Sequence, residues 1–178
     1  MQNQTVEVVS EPPGLNQMQR VVDVFVAPKD TFTDILRSTS WWLPFLLIAL
    51  STLAFAYAVD HKVGFDQVAE NQIQLSPSSA TRLSALTPDD RAAQMQKVAV
   101  GYRYSTYASP VLVLVFAALA SLILWVSFNF ALGAHTTYGQ IFCLWMYCQL
   151  PRILSSFVTI ITLYFGGSPE NFDLKQPA

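Results

Sequence analysis

The sequence predicts an all-α integral membrane protein. It reads as a helical bundle of three transmembrane helices, with an amphipathic amino-terminal helix and a helical loop. Three observations predict this. Of the 178 residues, 52% are apolar and 12% charged, with a mean hydropathy of +0.36, whereas a soluble domain draws about a quarter of its residues from Asp, Glu, Lys and Arg. The charges also leave long gaps: 19 residues from Trp41 to Val59, 22 from Val111 to Leu132, and 25 from Ile141 to Phe165 that hold only Arg152. Each is close to the roughly 20 residues a helix needs to cross about 30 Å of hydrocarbon, and none alternates polar and apolar faces as a soluble helix does. The third observation is the aromatic edging, with Trp41, Trp42 and Tyr57 bounding the first span, Tyr102, Tyr104 and Tyr107 leading into the second and Tyr138 into the third. Such rings prefer the headgroup level. The composition excludes a disordered chain, a collagen and a disulfide scaffold. A net charge of −2 supplies no basic field for nucleic acid.

Taken in order, residues 1–16, with Glu11-Pro12-Pro13-Gly14, read as a flexible tail before a membrane domain at 17–178. A short apolar stretch, Arg20 to Ala27, ends at Pro28. Thr31 and Asp34 then stand three apart as in a capping box, with Phe32, Ile35 and Leu36 on one face. This predicts a short amphipathic helix lying on the membrane, or a plain connector, feeding into Trp41. Pro44 falls in the first turn of the first span, where its missing N–H costs nothing. The loop at 60–109 carries its own helix signals. Ser76-Pro77 and Thr87-Pro88-Asp89-Asp90 each set a hydroxyl N-cap before a proline, and from Pro88 a helix with Ala92, Met95, Val98, Ala99 and Tyr102 on one stripe runs to about Tyr107. Ser109-Pro110 interrupts it before the second span. Basic residues near the spans, Lys29 and Arg37 on the amino-terminal side against Lys62, Lys97 and Arg103 on the loop side, give a near tie in the positive-inside count that leans against a cytoplasmic amino terminus.

The catalytic inventory is thin. His61 and His135 each lack a ligand partner at metal spacing, and no HExxH, CxxC, GxSxG, Walker loop or GxGxxG occurs, so no catalytic residue, metal site or cofactor is expected. Cys143 and Cys148 are too far apart around one helix to pair and read as buried, apolar-like residues. Asp66 with Glu70, and Asp89 with Asp90, suit solvated helix positions. Arg152 departs from this pattern, since a charge inside a span costs about 2.5 to 3.5 kcal/mol on an insertion scale. Pro151 frees a carbonyl one turn earlier, near Tyr147, and the guanidinium has five donors for such groups. Gln149, Pro151 and Arg152, with Asn129 of the second span as a partner, therefore form a candidate intramembrane polar site. The alternative is a structural kink whose arginine snorkels or is tied to carbonyls.

Two stretches carry a family resemblance: Arg20 to Leu47, RVVDVFVAPKDTFTDILRSTSWWLPFLL, and Gly133 to Pro151, GAHTTYGQIFCLWMYCQLP. The first has a short apolar helix, a proline, a Thr-Phe-x-x-Ile turn and aromatic residues opening a span. The second has a glycine-containing turn and an aromatic before an apolar run ending in Leu-Pro. Together they resemble bacterial members of the Yip (Ypt/Rab-interacting protein) domain family over most of residues 20 to 165. The resemblance implies an all-helical membrane domain of about five spans in the bacterial inner membrane, with a cytoplasmic amino terminus. Eukaryotic members resemble trafficking proteins that contact small GTPases, and the family offers no catalytic motif to carry over. Three spans followed by a polar stretch to Ala178 predict a chain lacking two further carboxy-terminal spans. The expected function is a non-enzymatic scaffold or interaction module whose partners are the lipid bilayer and other membrane proteins or a second copy, with no nucleic acid. The alternative is a small transporter or channel component using the polar site around Pro151 and Arg152.

Overall fold

The computed structural model describes residues 14–166, and within them every regular element is helical. The tail read at 1–16 therefore lies mostly outside the described residues, as does the polar stretch after Gly166. The amino-terminal segment forms two helices rather than one. α1 (Gln17–Val26) starts at Asn16, whose side chain accepts from the Gln19 N–H at 2.8 Å while the Gln19 side chain accepts from the Asn16 N–H at 2.9 Å. This reciprocal capping box satisfies two donors that the helix itself leaves open. The residue before a proline is driven out of the α region, so Ala27 ends α1, and Pro28 is the first residue of α2 (Pro28–Ile35). Thr31 and Asp34 lie inside α2 and are buried, so they cap nothing.

The three expected spans are present, with shifted edges. α3 (Trp42–Lys62) runs past Val59 to His61 and Lys62, basic residues that suit the negative end of a helix dipole. The second span is α7 (Ser109–Val126) followed by a π-helical turn, Ser127–Ala131. The third is broken into α8 (Tyr138–Cys148) and α9 (Pro151–Phe165). All three are long and apolar enough to cross a membrane. Between the first two spans lie α4 (Phe65–Gln74), α5 (Pro77–Ser84) and α6 (Pro88–Tyr107). The last has the expected bounds, with Thr87 accepting from the Asp90 N–H at 3.3 Å. Only Ala108 separates α6 from α7. Pro110 cannot donate to the Thr106 carbonyl four residues back, and the Ser109 hydroxyl does so instead at 2.6 Å.

The bundle has two storeys. In one, α3 packs along α9, with α4 and α6 around Val59, Phe65, Val68 and Leu163. In the other, α8 lies between α7 and the α1–α2 hairpin, around Ile35, Ile48, Cys143, Tyr147 and Leu150. The storeys are offset along the axis. Trp41, just before α3, borders the same groove as Leu114 and Ala118, and the Tyr138 hydroxyl donates to the Ala118 carbonyl at 3.1 Å. The chain beyond Ala118 therefore continues past the start of α3. Only 11% of the most apolar window of this span is buried, so α7 shows most of its surface to its surroundings.

Candidate functional site

The break in the third span is a tight turn. The Leu150 N–H donates to the Tyr147 carbonyl at 3.1 Å, the Gln149 N–H to Met146 at 3.2 Å and the Arg152 N–H to Gln149 at 3.1 Å. The carbonyl that Pro151 cannot serve is thus taken by the backbone, and the Arg152 guanidinium does not bind it. Arg152 is exposed and makes no ion pair among the described residues. With Gln149 it lines a narrow cleft of about 50 Å³ between α3, α7 and α9, whose other polar walls are Ser51, Thr52 and Ser156. The Ser51 oxygen is buried and has no hydrogen-bond partner among the described residues.

Asn129 does not join this cleft. Its amide donates to the Trp125 carbonyl at 2.9 Å, to the Thr136 carbonyl at 3.2 Å and to the Thr136 hydroxyl at 3.0 Å, and its oxygen accepts from the Thr136 N–H at 3.0 Å. The π-helical turn and Gly133, at φ +65° where a side chain would be strained, carry the chain back to it. Along α7 it stands sixteen residues from Val113 of the cleft, about 24 Å away. The structure thus brings Gln149, Pro151 and Arg152 together and leaves Asn129 as the staple of the turn between the second and third spans. Replacing Asn129 with Ala is expected to cost about 1 to 3 kcal/mol, because the Thr136 N–H loses its acceptor. Faster amide hydrogen exchange at 134–136, with exchange in α3 unchanged, is the readout.

Two polar clusters went unseen in the sequence. Arg20 on α1 and Asp34 on α2 form a buried ion pair at 2.6 Å, with side-chain exposures of 4% and 7%, and Arg20 also donates to the Ser38 carbonyl at 2.8 Å. Tyr147 of α8 lies fully buried beside this pair, its hydroxyl against the Arg20 guanidinium without a well-formed hydrogen bond. The backbone from Leu36 to Ser40 fastens the same region. Gln140 donates to the Leu36 carbonyl at 3.0 Å, and the Cys143 thiol points at the Ser40 carbonyl at 3.6 Å. At the opposite end of α3, Asp60 accepts from the Tyr107 hydroxyl at 3.0 Å and pairs with Arg103 at 3.3 Å, docking α6 onto α3. Tyr107 is exposed, and slight desolvation together with the hydrogen bond to the Asp60 carboxylate and its charge holds the phenol above its ordinary range. Lys62 sits 4.3 Å over the Tyr164 ring, joining the same end of α3 to α9.

Of the remaining residues singled out in the sequence, His61 stands beside the Tyr57 ring and His135 is exposed. Cys143 is buried as expected, but Cys148 is exposed, because α8 turns that face away from α7 and the hairpin. Among the described residues no three His, Cys, Asp or Glu side chains gather as metal ligands.

A helical bundle with three candidate spans, closed at one end by an amino-terminal hairpin and at the other by loop helices, defines an integral membrane domain. The Yip1 domain family matches residues 22–172, most of the chain, and the protein belongs to that family. Comparisons with curated proteins and with solved structures gave no match.

Proposed function

We propose that this protein is a non-enzymatic interaction module of the inner membrane of a bacterium, its amino-terminal hairpin on the cytoplasmic side, where it engages other membrane proteins. One observation carries the reading. The polar side chains that pair with one another do so to join elements of the bundle: Arg20 with Asp34, Arg103 and Tyr107 with Asp60, and Asn129 with Thr136. The hairpin that the first pair holds in place presents Met18, Val22, Phe25 and Val26 outward, an exposed apolar stripe at spacings of four, three and one. An apolar stripe of this kind marks a protein or membrane contact. The transport reading finds less support. A cleft of about 50 Å³ has room for a water or two, and Asn129 lies far from it.

The test is a photo-crosslinking residue introduced at Val22 or Val26 of the full-length protein in its own membrane. Discrete protein adducts of defined mass, absent when the same residue replaces exposed Ser84, are the expected result. Adducts to lipid alone would reduce the hairpin to a membrane anchor and end the proposal.

A further inference from the structure

We propose that the bowl between the loop helices α4, α5 and α6 binds a small organic carboxylate with an apolar body. The bowl measures about 510 Å³, inside the range of roughly 300 to 1,000 Å³ in which small molecules are held. It exists because α5 packs against α4 and stands off α6, so residues of both line the space left between them.

The α5 side is polar by register. Ser76, Ser79 and Arg82 follow one another at intervals of three, which sets them near one face of the helix. The Ser76 and Ser79 hydroxyls lie 3.1 Å apart, and since one proton serves that contact the pair has a second to donate. Arg82 is exposed and makes no ion pair among the described residues, and no carboxylate lines the bowl. Of the acids on α4 and α6, Glu70 accepts from the Gln74 amide at 3.4 Å and Asp90 from the Thr87 hydroxyl at 2.7 Å. Gln94 adds an exposed amide from α6.

The rest of the lining is apolar. Ile73, Leu83, Val98 and the Tyr102 ring come from all three helices, and water beside them forfeits the contacts that an organic body makes. One guanidinium matches one negative charge, and its planar fork fits a carboxylate with two parallel hydrogen bonds. A phosphate monoester, at nearly two charges, would exceed it. Access is from water, because the loop helices lie outside the three candidate spans and Arg82, Leu86 and Gln94 leave the mouth exposed.

The experiment uses the whole protein in phosphatidylcholine nanodiscs, with empty discs as the baseline. Hexanoate and phenylacetate are titrated beside their uncharged amides, hexanamide and phenylacetamide, and saturation-transfer NMR reads the binding. The expected result is saturable binding of at least one acid, about tenfold weaker for its amide and in Arg82→Gln, as the loss of a charge-assisted hydrogen bond implies. Val98→Trp, which fills the bowl and keeps the charge, should weaken binding likewise and serves where Arg82→Gln does not fold. Slower amide hydrogen exchange across 79–84 with the acid present would show α5 held to α6 through the ligand. Binding of neither acid above empty discs, amides bound as tightly as acids, or binding unchanged in both variants would overturn the proposal.

Discussion

Asp34→Ala is expected to loosen the amino-terminal hairpin from the bundle at a cost of about 3 to 5 kcal/mol, the penalty for leaving a buried cation without its partner. Arg20 would keep the Ser38 carbonyl but lose its counter-charge in a site almost closed to solvent. The loss should appear locally, because the pair joins α1 to α2 and both pack against α8 through Ile35, Val21 and Val24. Cys143, fully buried in that cluster, is the built-in reporter. Its alkylation by a water-soluble maleimide should accelerate on the order of a hundred- to a few-thousandfold, since each 1.4 kcal/mol is tenfold in an opening equilibrium. The double variant Arg20→Met with Asp34→Leu removes both charges and should recover most of the protection, as apolar replacements of buried pairs commonly do. If Asp34→Ala labels Cys143 at the original rate, the pair does not hold the hairpin.

The second large effect is at Tyr147. Truncation to Ala empties the centre of the same cluster and should cost about 3 to 5 kcal/mol, the usual range for a buried aromatic residue. Tyr147→Phe should cost much less, because the hydroxyl it removes lies against the Arg20 guanidinium without a well-formed hydrogen bond. Denaturant midpoints in micelles distinguish the two. A Phe variant as damaged as the Ala variant would mean that the hydroxyl has a partner in the membrane-bound protein.

The spans were legible because charge is excluded from hydrocarbon, and a gap between charges is a length measured along the chain. The break at Pro151 was legible too, since proline removes a known hydrogen bond, and so was the start of α6 at Thr87-Pro88. Contacts set by folding back were less so. Arg20 and Asp34 are fourteen residues apart, and they meet only because Pro28 opens a second helix instead of merely closing the first. Asn129 was assigned to Arg152 because both are polar residues in apolar stretches, but the π-helical turn and Gly133 return Thr136 to it instead. α4 shows in the sequence only as helix positions for Asp66 and Glu70, because its apolar positions, Phe65, Val68 and Ala69, form a single short cluster among amides and acids. Their spacing of three and one is nevertheless that of a helix face.

The offset between the storeys bears on the lipid around the protein. A flat hydrocarbon slab about 30 Å thick can be centred on α3 or on α7, but the first leaves the end of α7 and its exposed Phe130 above the slab, and the second submerges the hairpin with its ion pair. Such a mismatch is relieved when helices tilt or the bilayer changes thickness locally. On the α7 side that relief calls for a tilted helix or a locally thicker bilayer, and on the α3–α9 side for neither.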